Sequence, residues 1–62
     1  MDVKTEIEDD IAFCTEKAAR AQALADRAAR HNDLDSASYW IDAAISWHEF
    51  ARELTKELAH VG

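Results

Sequence analysis

Apolar and small residues recur every three or four positions through the first half of the chain. This spacing matches one face of an α-helix and predicts an amphipathic helix over about residues 3–30. Because most positions on this face are small, a second helix can approach it closely. We call this row the small-residue seam, and its members are Ile7, Ile11, Cys14, Ala18, Ala21, Ala25 and Ala28.

A polar segment interrupts the helical pattern between residues 31 and 36. Its asparagine, aspartates and serine compete for backbone hydrogen bonds, so they favour helix ends and caps over helix interiors. We predict a turn over about residues 31–35. Asp35 or Ser36 can cap the second helix, and Asp33 can cap it if the helix starts earlier.

The second helix, predicted over about residues 36–60, carries two apolar rows instead of one. The first row is Leu34, Ala37, Ile41, Ala44, His48, Ala51, Thr55 and Leu58. The second row is Trp40, Trp47, Leu54 and Val61, and Ile45 widens the flank. This face is too wide for one coiled-coil seam. One part can cover the first helix, and the rest, including both tryptophans, needs another surface. The predicted self-association or partner interface is Trp40, Ile41, Ile45, Trp47, Leu54 and Leu58.

These elements predict an all-α fold, an antiparallel two-helix hairpin formed by a single domain over residues 1–62. A chain this short buries only about 60% of its unfolded surface, so its own core is marginal. Two such hairpins make a four-helix bundle with a true core. We therefore expect a homodimer, which is the simplest closed assembly.

The composition indicates the cellular compartment of the protein and the classes of partner it can bind. The single cysteine, Cys14, excludes a disulfide within one chain and favours a reducing compartment, so we expect a cytoplasmic protein. The first six residues carry a net negative charge and do not resemble a signal peptide. No apolar run approaches the ~20 residues that span a bilayer, so no membrane association is expected. The net charge of −6 argues against general nucleic-acid binding.

One stretch carries the pattern of a known helical repeat. Leu24 and Ala25 form a large–small pair in the first helix, and after the polar turn Ala37 and Ala44 take small packing positions in the second. In these positions the chain resembles a single tetratricopeptide repeat. Ala28 departs from that pattern, since the family usually has an aromatic residue there. The resemblance implies a tightly packed helical hairpin.

A second resemblance concerns architecture. The length, the hairpin layout and the small-residue seam are similar to those of Rop-type dimeric helical hairpins, which bind RNA. That resemblance implies RNA binding through an aromatic residue and polar or basic residues on the first helix. In this sequence, heptad spacing continues through Leu24 and His31 and defines a basic–aromatic stripe of Phe13, Lys17, Arg20 and Arg27. Such side chains can contact phosphates and stack on bases.

The stripe also has an alternative interpretation. Acidic residues lie close to it, and the net charge is negative. Phe13 and Leu24 can pack against a neighbouring helix, while Lys17 can pair with Asp10, with the neighbours of Phe13 or with Asp42 across the hairpin. In that case the stripe is a solvated flank of the hairpin.

Other residues that could act in catalysis or bind a metal are better explained by a structural role. We expect His48, which lies on an apolar row, to be a satisfied core residue and neither a metal ligand nor a pH switch. Cys14 lies on the small-residue seam without a base or a cleft, so we expect a packed thiol. No histidine or cysteine pair has zinc-ligand spacing on one helix. We therefore predict no enzyme activity, no metal and no cofactor.

The acidic row Glu49, Glu53 and Glu57 leaves a further alternative open. At a spacing of four residues these carboxylates line one helix face, next to Arg52 and Lys56. They can mimic the phosphate backbone of nucleic acid, as in a phage- or plasmid-type inhibitor, or form an ordinary solvated face with i, i+4 pairs.

The function predicted from sequence is therefore that of a small accessory factor, adaptor or inhibitor. It acts as a self-associated helical bundle and binds another protein. RNA binding through the basic–aromatic stripe is the main alternative, and a purely structural oligomerisation module is a third.

Overall fold

The protein folds as a hairpin of two long α-helices joined by a short turn. The computed structural model describes residues 2–61, in which helix α1 spans Val3–Arg30 and helix α2 spans Leu34–Val61. The second helix returns along the first, and the Cα atoms fill a slab of 45 × 16 × 10 Å. The predicted all-α hairpin is confirmed for this part of the chain. Neither of the two helices is long and apolar enough to cross a membrane.

The turn is closed by hydrogen bonds to the last carbonyls of α1. Asn32 adopts a positive φ of 58°, the left-handed conformation that asparagine tolerates better than most residues. Its N–H donates to the Ala29 carbonyl at 3.0 Å, and the N–H of Asp33 donates to the Ala28 carbonyl at 2.9 Å. This pair of bonds is a Schellman motif, which reverses the chain without glycine or proline.

Helix α2 begins two residues earlier than predicted, because Asp33 caps it and not Asp35 or Ser36. The backbone N–H of Ser36 donates to Asp33 Oδ1 at 3.2 Å. Hydrogen bonds from the Ser36 side chain and from its backbone hold the pKa of Asp33 below its ordinary value of 3.8. The same three-residue turn therefore ends α1 and starts α2.

The core between the helices contains only small side chains. Ala18 is completely buried, and the other buried residues come from the small-residue seam and from two alanines of α2. No large side chain among the described residues is fully buried. The buried set is Cys14, Ala18, Ala21, Ala25, Ala37 and Ala44. Such a contact line holds two helices together but leaves no room for an interior.

The packing of α2 corrects the predicted first row of that helix. Ile41, His48 and Thr55 are exposed, whereas Trp40 and Trp47 are half-buried against α1. The reason is the shape of the seam. The small residues of α1 draw in the alanines of α2, and the neighbouring tryptophan row then covers the flank of α1. The tryptophans thus need less of a second surface than the sequence indicates, and the isoleucines need more.

Substitution in the seam tests the close approach of the helices. Ala18→Leu places a four-carbon side chain at a site that is completely buried. We therefore expect it to lower the free energy of unfolding by about 1–3 kcal/mol. Ala19→Leu is the matched control, because Ala19 is exposed and leucine has a similar helix propensity. Thermal unfolding followed by circular dichroism checks this. Equal effects at the two positions would contradict close packing of the helices at the small-residue seam.

The Asp33 cap predicts a dependence of stability on pH. Asp33→Ala should lower the melting temperature at neutral pH, while Asp33→Asn should retain most of it, because asparagine also caps helices well. Since folding lowers the pKa of Asp33, its contribution is present above about pH 4 and is lost as the pH falls through the folded pKa. The melting advantage of the wild type over Asp33→Ala should shrink in acid. An advantage that is constant down to about pH 2 would argue against the cap.

Candidate functional site

A cluster of aromatic side chains lies on one side of the hairpin and joins the two helices. Phe13 of α1 meets Trp47 of α2 edge to face, with ring centroids 5.8 Å apart. Trp47 in turn lies 6.4 Å from the ring of Phe50. Edge-to-face pairs stabilise by about 0.5–1.5 kcal/mol beyond the area that they bury. These rings therefore help to hold the helices together while leaving much of their surface in solvent.

A groove of about 370 Å³ runs beside this cluster. The basic–aromatic stripe of α1 and the tryptophan row of α2 are separate in the sequence, and both contribute to this groove. Its lining residues are Lys17, Arg20, Ala21, Leu24, Trp40 and Trp47. We call the side of the hairpin that holds the cluster and the groove the aromatic face. Its apolar members are Phe13, Leu24, Trp40, Trp47, Phe50 and Leu54.

Lys17 makes a different contact from the ones predicted. Its Nζ lies 5.3 Å from the centroid of the Phe13 ring, a cation–π arrangement. It forms an ion pair with neither Asp10 nor Asp42. Asp10 is seven residues away along α1, whereas side chains that pair on a helix are three or four residues apart. Within residues 2–61 the ion pair that forms is Lys56–Glu53, at 3.4 Å. The aromatic face thus carries positive charge next to its rings.

The residues predicted as an interface do not all lie on this face. Trp40, Trp47, Leu54 and Leu58 are half-buried beside α1. Ile41 and Ile45 are 45% and 50% exposed, respectively. At about 100° per residue, Ile41 is turned away from Trp40 towards the opposite side of the hairpin. The predicted interface therefore divides into an aromatic face and an isoleucine face.

Two aromatic residues in this region were missing from the predicted site. Phe50 is 61% exposed and lies next to Trp47, and Tyr39 contacts Trp40 with ring centroids 5.0 Å apart. Phe50 follows Trp47 by three residues, which is the spacing of neighbours on a helix surface. That spacing is a signal that could have found it.

His48 and Cys14 have contrasting outcomes. The prediction that His48 is a core residue is wrong, because His48 is exposed. It follows Trp47 by one residue, and when the tryptophan turns towards α1 the histidine is rotated outwards. Cys14 is buried, as expected of a packed thiol. Within residues 2–61, no group of three or more histidine, cysteine or acidic side chains is placed to hold a metal ion.

The acidic row of α2 lies in solvent. Glu49, Glu53 and Glu57 are all exposed. Lys56 pairs with Glu53, and a shallow groove of about 520 Å³ beside this row is lined by both acidic and basic side chains, together with Phe50. The surface around the row is therefore mixed in charge, which weakens its likeness to a phosphate backbone.

Known proteins were compared with the chain by sequence and by fold. No family model, curated protein or solved structure matches it. The resemblances to a tetratricopeptide repeat and to Rop-type hairpins thus rest on the residue pattern and the hairpin layout alone.

Proposed function

We propose that this protein is a non-enzymatic assembly and protein-binding module that works as a homodimeric four-helix bundle. One observation carries the proposal: the hairpin buries only alanines and one cysteine, while its large apolar side chains remain partly in solvent on both sides of a thin slab. Side chains of this kind stabilise a fold by about 25 cal/mol for each Å² of apolar surface removed from water. A lone hairpin leaves much of that stabilisation unused.

The dimensions of the hairpin suit pairing with an equal partner. One broad side of the slab measures 45 × 16 Å between Cα atoms. Its area is close to the ~800 Å² that each partner contributes to a standard-size interface. Exposed apolar patches of more than a few hundred Å² are uncommon on monomers and mark interaction surfaces. Two hairpins that stack through this broad side form a buried interior, which one hairpin lacks.

Two apolar sides give the module two roles. We assign the aromatic face to self-association, because it holds the larger rings and extends over both helices. The isoleucine face, with Ile41 and Ile45, then stays exposed on the outside of the bundle and is the surface for a second protein. This arrangement corresponds to an adaptor or accessory factor.

Solution mass tests the proposal. We expect light scattering on a sizing column to give twice the 7.0 kDa chain mass, with dissociation on dilution. Phe50→Ala should shift the equilibrium towards monomer without loss of helicity, because Phe50 is mostly exposed within one hairpin. Ile45→Ala is the matched control, since it removes a comparably exposed apolar side chain from the other side. A folded wild-type monomer at all concentrations would contradict the dimer.

RNA binding is a second candidate, favoured by the groove on the aromatic face. Lys17 and Arg20 flank Trp40 and Trp47 there, which combines cations for phosphates with rings for bases. The net charge of −6 opposes it. The same rings cannot serve as a dimer interface and a base-stacking surface at once, so the two candidates exclude each other.

A binding measurement separates these candidates. If RNA is the ligand, single-stranded and hairpin RNAs should bind at low salt, weaken as salt rises, and lose affinity in the variant Arg20→Ala with Arg27→Ala. The matched control is Arg30→Ala with Arg52→Ala, which removes the same charge from exposed positions outside the stripe. Absence of binding above background at low salt would eliminate this candidate.

A further inference from the structure

We infer that the aromatic face is covered by a second copy of this chain lying head to tail, so that the turn of one hairpin lies over the chain ends of the other. This inference rests on the proposed dimer and adds its geometry. The uneven distribution of charge along the hairpin favours this arrangement.

All of the net charge lies in the half of the hairpin that contains the chain ends. Residues 2–16 and 48–61, the open half, hold nine acidic and three basic side chains. Residues 17–47, the half at the turn, hold four of each. The described part of the molecule is thus strongly acidic at one end and neutral at the other.

Two closed arrangements bring the aromatic faces of two hairpins together. If the two-fold axis runs along the helices, the open halves coincide and two strongly acidic ends lie side by side. If the axis runs across the helices, each open half lies over a neutral turn half, and α1 packs against α1 of the second copy. Like charges at an interface are unfavourable, so the head-to-tail arrangement is preferred.

The charges of α1 strengthen this preference. Residues 3–16 of α1 hold five acidic and one basic side chain, whereas residues 17–30 hold four basic and one acidic. A head-to-tail pair of α1 helices therefore places acidic halves against basic halves at both ends. Helix α2 is acidic in both halves, so it favours neither arrangement strongly.

The register follows from the length of α1. With Val3 of one copy against Arg30 of the other, Glu6 lies against Arg27 and Phe13 lies against Arg20. Glu6 and Arg27 belong to the same heptad row as the basic–aromatic stripe, on the side of α1 that borders the groove. The stripe then gains an ion pair towards each end of α1 and, closer to the two-fold axis, a cation–π contact on each side of it.

Distances between spin labels test the arrangement. In a Cys14→Ala background, a label introduced by Asp35→Cys lies near the turn, and one introduced by Thr5→Cys lies near the chain ends, both at exposed positions. For the head-to-tail dimer, pulsed electron paramagnetic resonance should give label separations approaching the 45 Å length of the hairpin for either variant alone. A mixture of the two variants should give a short distance across the ~10 Å between packed helices, lengthened by the labels.

The outcomes distinguish failure of the geometry from failure of the dimer. A dimer by mass with a short distance between Asp35→Cys labels would overturn the head-to-tail arrangement and leave the proposed function standing. A monomer by mass would overturn both. Long distances for each variant alone, with a short one in the mixture, support the inference.

Charge reversal provides a second test that does not depend on labels. Glu6→Lys should raise the dimer dissociation constant by roughly tenfold, because two-fold symmetry repeats the lost ion pair. Adding Arg27→Glu to Glu6→Lys should restore affinity, since the swapped charges attract again. Glu8→Lys is the control, with the same charge change on the other flank of α1. Equal weakening by Glu6→Lys and Glu8→Lys, without rescue, would contradict the register.

Discussion

The close contact of two small-residue helix faces is the constraint on which the rest of this structure depends. Alanines and one cysteine meet along the contact line, so the helix axes approach closely and no large side chain fits between them. Large apolar residues are therefore displaced to the flanks. There they cover the edges of the contact line and remain partly in solvent. The hairpin therefore has a close contact between its helices and two apolar sides that are partly exposed.

The flanks acquire their character from this displacement. On one side Trp47 meets Phe13 across the helices, and a cation lies over the same phenylalanine ring. The other side presents the exposed side chains of Ile41 and Ile45. In the proposed function, the molecule pairs with itself through the first side and with another protein through the second.

Charge has a separate role from apolar burial in this molecule. Apolar contact is non-directional and would be satisfied by either closed stacking of two hairpins. The uneven charge along the hairpin distinguishes the two stackings, since the acidic end repels its own copy and the neutral end does not. In the proposed dimer, burial of apolar surface drives association, and electrostatics sets the orientation of the two copies.

The sequence by itself determined the helices and the turn, because both depend on neighbours along the chain. Heptad spacing marked the helices, and the polar segment located the turn. Capping propensity left three candidates for the N-cap of α2, which were Asp33, Asp35 and Ser36. The geometry of the turn selected Asp33 among them, because the positive φ of Asn32 and the bonds to Ala28 and Ala29 set where α2 begins.

Only the tertiary structure decided which residues of the two apolar rows of α2 face α1. A face wider than one seam can rotate by a fraction of a turn at little local cost, and the sequence pattern does not resolve that angle. Packing against the small seam resolved it by drawing in Ala37 and Ala44. This rotation placed Trp40 and Trp47 beside the basic–aromatic stripe and turned Ile41 and His48 outwards. The site depends on one angle between two helices, which no local interaction controls.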